Sequence, residues 1–347
     1  MRALRLVRGP LLLGGLVVAV VASVLLGAGI GAVDIPARQV IAVIAGKLGL
    51  DLGITVSPEN EAILWAIRLP RVALGLLVGA GLAVAGATLQ GIFRNPLADP
   101  GLIGVSSGAS LGAVGAIVLG LSGLGAATLP VAAFAGALVA TFAVYALARF
   151  EGRTEVVTLL LTGLAVNAIA GAGIGYLVFQ ATDSEIRDAV FWTLGSLGGA
   201  TWTVVLSAAP FVLLGVFLMP AFARELNLLI LGEREAAHLG VATERLRVVL
   251  IALVALTTGA AVAVAGTIGF IGLIVPHLVR LAAGPDNRIV LPASALAGAA
   301  LLVFADLLAR TAAAPAELPI GVITSLIGGP FFLWLLHRTR RAHGGWG

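Results

Sequence analysis

The sequence predicts an all-α membrane protein that crosses the bilayer ten times, and three observations carry that prediction. Of 347 residues, 60% are hydrophobic and only 11% charged, whereas a water-soluble domain has about 25% charged residues to cover its surface. The apolar residues fall into runs of roughly 20, the length a helix needs to cross the hydrocarbon core. The basic residues are divided unevenly between the ends of those runs. Disorder and a soluble enzyme are excluded, because the 46 glycines sit inside apolar runs with no collagen-like period.

The ten spans fall at about 10–31, 65–92, 103–121, 128–148, 157–180, 203–222, 247–266, 268–283, 289–309 and 318–337. They use well over half the chain and leave no room for a separate soluble domain, so 1–347 reads as one transmembrane domain. Arg2, Arg5 and Arg8 precede the first run as in a signal peptide, but nine further spans favour an uncleaved first helix. Ten crossings put both termini on one side. With that side in the cytoplasm, fifteen arginines lie inside and six basic residues outside, the asymmetry of the positive-inside rule. The net charge of +4 therefore reflects orientation and lends no support to nucleic-acid binding. Cysteine is absent, which leaves no disulfide framework, thiolate metal site or thiol redox chemistry.

Three connections are long enough to carry structure. In the outer segment 32–63, Ile41, Val43, Ile44 and Leu48 have roughly helical spacing and predict an interfacial helix. The segment 181–201 carries Asp183, Glu185, Arg187 and Asp188 between Trp192 and Trp202, and reads as a short surface helix at the membrane–water boundary. The inner segment 224–247 is divided by Gly232 and Gly240 into two short helices with apolar faces and charged backs. A mere connector needs only a few polar residues, so two helices here predict a docking surface; an interfacial hairpin without a partner is the plainer reading.

Breaks inside apolar stretches are expected at Asn95-Pro96, Asp99-Pro100, Pro276 and Gly328-Gly329-Pro330. Irregular backbone at membrane depth persists only where protein covers it or water reaches it, as around transporter paths. Small residues four apart, Gly75–Gly79 and Gly163–Asn167–Gly171, allow close helix approach. An echo of AVAG at 83–86 and 263–266 marks either an internal repeat or a coincidence of composition.

The chemistry is sparse. No GxxxxGK[ST] pattern occurs, so no P-loop is expected. His238, His277, His337 and His343 have no metal-ligand spacing, and no catalytic grouping is found, so no catalytic or metal-binding residue is expected. Asp306 and Arg310, four apart near the outer end of the ninth span, read as a structural ion pair rather than a proton relay. Asn167, in the middle of the fifth span, either lines a path or bonds a neighbouring helix. Arg187 either meets an acidic group of a ligand or pairs with Asp183 or Asp188, the second being favoured. Arg68 and Arg71 read as anchors snorkelling to the outer surface or, with Arg310, as a socket for acidic side chains of a partner.

Several long stretches resemble the permease subunits of ABC importers for iron-siderophores, haem and vitamin B12. They are RLPR at 68–71, LQGIFRNPLADPGLIGVSSGA at 89–109, LGEREAAHLGV at 231–241, AGTIGFIGLIVPHLVRL at 265–281 and ELPIGVITSLIGGPFFLWLL at 317–336. The resemblance implies the type II ABC importer permease fold, a homodimer with the path on its axis, two cytoplasmic ATPase subunits and a periplasmic substrate-binding protein. It places the chain in a bacterial cytoplasmic (inner) membrane. No cofactor would be bound by this chain, and ATP would sit on the partner subunits. It assigns ATPase coupling to Glu233, Arg234, His238, Leu239 and Gly240. Arg68, Arg71 and Arg310 would receive glutamates of the binding protein. The fifth span and a surface helix at about 188–197 would line the path and its outer gate, with Val156, Val157 and Thr158 where some relatives carry small hydroxyl residues at the inner gate. RDAVFWTLGSLGGATW at 187–202 looks most like the haem-import branch, with a ferric siderophore or cobalamin as the alternative ligand. The alternative from another class is a secondary transporter working alone, which would need neither the paired inner helices nor an ATPase.

Overall fold

The computed structural model of the chain describes residues 2–150 and 153–342; His343 lies outside the described residues. A helix occupies each of the ten expected spans: α1 (Arg2–Gly29), α4 (Leu69–Phe93), α5 (Val105–Val118), α6 (Thr128–Ala148), α7 (Val156–Gln180), α9 (Trp202–Leu218), α12 (Thr243–Ala265), α13 (Ile271–Ala283), α14 (Asn287–Thr311) and α15 (Ile320–Ala342). Five more helices lie between them: α2 (Ala37–Lys47), α3 (Pro58–Ile63), which runs into α4 through a π-helical turn at Leu64–Arg68, α8 (Asp183–Leu194), and the pair α10 (Ala223–Leu229) and α11 (Glu233–His238). Residues 149–150 pair with 153–154 in a minimal antiparallel ladder. One end of the bundle carries α2 and α8, the other α10 and α11.

A helix that is apolar all round belongs in the interior, and α4, with only Arg71 charged among its residues, is buried along nearly its whole length. α12 and α14 flank it, while α1 and α7 keep most of their surface exposed. The α4–α14 crossing is close because Gly79 faces Gly298: a Cβ on Gly79 would lie 2.2 Å from the Gly298 carbonyl oxygen.

α5 and α13 are shorter than a full span; the 13 residues of α13 rise only about 20 Å. Irregular backbone at 94–104 and 266–270 makes up the difference. The second of these packs on the turn after α8, as irregular backbone at membrane depth requires cover: a Cβ on Gly266 would lie 2.2 Å from the Trp192 carbonyl oxygen, and the Ser196 N–H donates to the Ala265 carbonyl at 2.8 Å. The breaks expected at Pro276 and Pro330 are not there, since both prolines lie inside continuous helices. At Pro276 the reason is visible. Proline cannot donate to the carbonyl four residues back, and that carbonyl, Gly272 O, instead accepts from Gln90 Nε2 at 3.3 Å.

One other expectation is corrected. The surface helix expected at about 188–197 begins earlier and ends earlier, at Asp183–Leu194, because Thr182 and Glu185 form a reciprocal capping box at its start. α2 exists, with Val40 and Val43 turned inward to join Ala28, Leu64 and Val72 in a small core while Ile41 and Leu48 stay exposed. The two copies of AVAG have different local settings: Gly86 lies in mid-helix against the Gly272 backbone, whereas Gly266 follows the end of α12.

Candidate translocation and docking sites

At the α8 end, the three arginines singled out in the sequence are brought together but not presented to solvent. Arg68 is 7% exposed, and its guanidinium donates to the carbonyls of Ala28 and Gly29 at 2.8 Å each, and to Val33 O. Arg310 donates to Ile30 O at 3.2 Å and to Gly27 O. These carbonyls belong to the last turn of α1 and the residues after it, which have no helical partners and attract cations. Two of the expected socket residues therefore cap a helix end, and the expectation that Arg68 snorkels outward is corrected.

Arg71 grips Asp306 along one edge, with Nε at 3.0 and 3.1 Å from the two carboxylate oxygens and Nη2 at 2.9 Å. Its Nη1 donates to Glu317 Oε1 at 3.0 Å. Asp306 is thus an ion-pair residue as expected, but its principal partner is Arg71; Arg310 Nε lies 3.5 Å away. Beside this cluster Trp202 Nε1 donates to the Trp65 carbonyl at 2.9 Å, and the two rings are 4.8 Å apart.

Along the bundle, Asn167 bonds neighbouring backbone and side chain: Nδ2 donates to Gly101 O at 3.0 Å and Oδ1 accepts from the Ser107 hydroxyl. One turn earlier, Gly163 lies so close to the 100–104 turn that a Cβ would stand 1.9 Å from Leu102 O. α7 is thereby stitched to the irregular segment before α5, while Gly171 faces open space. The other face of α7 is exposed and apolar, with Leu161, Leu164, Ile169, Tyr176 and Phe179 all more than half exposed. Val157 is exposed too, and the Thr158 hydroxyl is engaged by Glu155 at 3.3 Å. Arg187 is exposed and, among the described residues, makes no ion pair, so the favoured pairing with Asp183 or Asp188 is not found. At the start of the same helix the Thr182 N–H donates to Glu185 at 2.7 Å and holds its carboxyl below the usual carboxylate range, with help from the Thr182 hydroxyl.

At the α10 end, α11 leaves Arg234, His238, Leu239 and Gly240 exposed. Glu233 is held from behind: Arg247, 6% exposed, donates to it at 2.7 Å and to Glu244 at 3.0 Å. A cleft of about 330 Å³ opens beside this helix, lined by Phe222, Arg224, Leu239, Val241 and Arg245 among others. Asn227 of α10 donates to Asp286 at 2.7 Å and accepts from the Asn287 backbone at 2.9 Å, which fixes α10 to the start of α14. The roles of Glu317, Arg247 and Asn227 were missed in the sequence. Of these only Arg247 had a local signal, its three-residue spacing from Glu244.

Comparison with known proteins gives consistent results. Residues 17–338 match the sequence model of the FecCD transport family. The chain is 51% identical over 280 residues to the cobalamin import system permease protein of Halobacterium salinarum, covering 80% of this chain and 74% of that one. It is 46% identical over 308 residues to the hemin transport system permease protein of Yersinia pestis, covering 86% and 92%. A solved structure described as an inward-facing ABC transporter of metal-chelate type superposes with a TM-score of 0.82 at 32% identity, over 95% of this chain and 99% of that one.

Proposed function

The chain belongs to the FecCD transport family, a multi-pass permease of the binding-protein-dependent ABC importer class, and from that premise we propose that it forms the translocation path for a metal chelate, haem first among the candidates. Two copies pair with the exposed face of α7 lining the path on the axis. The α10 end faces the cytoplasm, with both termini, and the α8 end faces a substrate-binding protein. Two separate ATPase subunits bind and hydrolyse ATP.

The observation that carries this reading is the construction of α11. A helix of 6 residues too short to be stable alone is anchored through Glu233 to a buried arginine at the start of α12, and turns Arg234, His238, Leu239 and Gly240 outward. A partner that pulls on it moves α12 directly. ATP drives transport only if one arrangement of the permease suits the ATP-bound ATPases better than the other, and the Glu233–Arg247 link carries that preference into the bundle. At the start of α7, Val156 and Val157 are apolar and the Thr158 hydroxyl is already engaged by Glu155, which suits passage with few specific contacts.

For the ligand, the hemin permease named above supports haem, and so does the likeness of the stretch 187–202 to the haem-import branch, with the exposed Arg187 as the proposed partner of a propionate. Cobalamin is the second reading, favoured by the higher identity to the Halobacterium protein. The test is uptake into proteoliposomes holding the permease, its ATPase and its binding protein, with haem, cobalamin and a ferric siderophore offered separately. Haem accumulation alone supports the first reading, cobalamin alone the second, and siderophore alone removes both.

A further inference from the structure

We propose that Glu317 is an internal stand-in for a partner carboxylate, so that an acidic side chain of the binding protein reaches Arg71 only by displacing it. The inference rests on the reading that a binding protein docks at the α8 end. Asp306 holds the Nε–Nη2 edge of Arg71 with a side chain only 4% exposed, a partner that no incoming group can reach. Glu317 holds the Nη1 edge from the surface, with its side chain 48% exposed. Arg68 and Arg310 are spent on carbonyls at the end of α1. Among these three arginines, Arg71 alone is bonded to a carboxylate that can leave.

Charge favours exchange over addition. Arg68, Arg71 and Arg310 are already matched by Asp34, Asp306 and Glu317, so a further carboxylate would leave the cluster with an excess negative charge, whereas one that replaces Glu317 keeps the balance. The outgoing residue finds water, and the incoming one finds a guanidinium already oriented by Asp306, with its side chain order largely prearranged. The exchange also has a mechanical consequence. Glu317 directly precedes Leu318, whose N–H bonds Ala309 O at 2.9 Å, and Ile320, whose N–H bonds the Gly195 carbonyl at the end of α8 at 3.0 Å. Freeing Glu317 therefore loosens the segment that joins α14, α15 and the end of the surface helix, next to the proposed outer gate.

The test measures the Kd between the intact transporter in nanodiscs, with its ATPase subunits, and the binding protein that stimulates its ATP hydrolysis. Glu317→Gln removes the competing charge and is expected to tighten docking about fivefold, the factor set by one exposed ion pair. The paired variant Arg71→Met/Asp306→Asn, which leaves no buried carboxylate without its cation, is expected to weaken docking at least tenfold. If the paired variant weakens docking while Glu317→Gln leaves it unchanged or weaker, the exchange is overturned and docking at Arg71 stands. If the paired variant docks as the parent does, the docking reading fails and the exchange falls with it.

Discussion

Arg68→Met removes three charge-assisted hydrogen bonds at once, those to Ala28 O, Gly29 O and Val33 O, while keeping most of the side-chain volume. Each bond from a cation to a neutral acceptor contributes about 1.5–3 kcal/mol, so their sum is an upper bound. Two effects reduce it: carbonyls at the end of α1 regain some water when the arginine goes, and the desolvation cost of a buried guanidinium disappears with it. A net loss of about 2–4 kcal/mol remains, large for a single substitution. Thermal unfolding of the purified permease in detergent, followed by tryptophan fluorescence, reads it directly, since Trp65 lies in the same π-turn and its ring packs at a tilt against Trp202. Arg68→Lys should fall between the two, because one ammonium cannot reproduce the fork that spans three carbonyls. If Arg68→Met melts with the parent and only docking of the binding protein suffers, Arg68 is a recognition residue and the cap assignment is wrong.

Glu233→Lys sets an ammonium against buried Arg247 in place of the 2.7 Å pair; ATP-driven uptake should fall at least tenfold and the ATPase should no longer co-purify, whereas unchanged uptake would return α11 to a simple connector. His238→Trp, at an exposed position of the same helix, is expected to block ATPase assembly in a pull-down. Gly163→Val must displace the Leu102 carbonyl, which lies 1.9 Å from the new Cβ; overpacking of this kind costs about 1–3 kcal/mol, to be seen as a lower melting temperature. The Glu185 carboxyl titrates below its usual range because the Thr182 N–H favours its charged form. Its stabilisation of the start of α8 is therefore present above the unfolded-state value and is lost as pH falls through the lowered one. Hydrogen exchange at residues 183–187 should accelerate below that pH in the parent and show no such step in Glu185→Gln.

The spans were legible because bilayer thickness imposes a length that composition displays, and each of the ten runs became a helix. The capping box that starts α8 was legible too, in Thr182 and Glu185, but the range 188–197 was carried over from relatives without using it. What stayed hidden depends on partners distant in sequence. Pro276 reads as a break until Gln90, 182 residues earlier than Gly272, is seen to take the freed carbonyl. Asp306 looks like the partner of Arg310 on its own helix, yet Arg71, 235 residues away, holds it. Arginines near a span end look like surface groups, and the sequence has no mark for the unsatisfied carbonyls of a helix ending beside them.

The most direct measurement of the central claim is transport driven by ATP against transport driven by a proton gradient, in proteoliposomes holding the permease with and without its ATPase. Accumulation that requires both the ATPase and ATP, and that ignores the gradient, is the result expected of a permease worked through α11 from the cytoplasm. Accumulation driven by the gradient with no ATPase present would contradict it, and would make Asp306 a proton carrier instead of the fixed partner of Arg71.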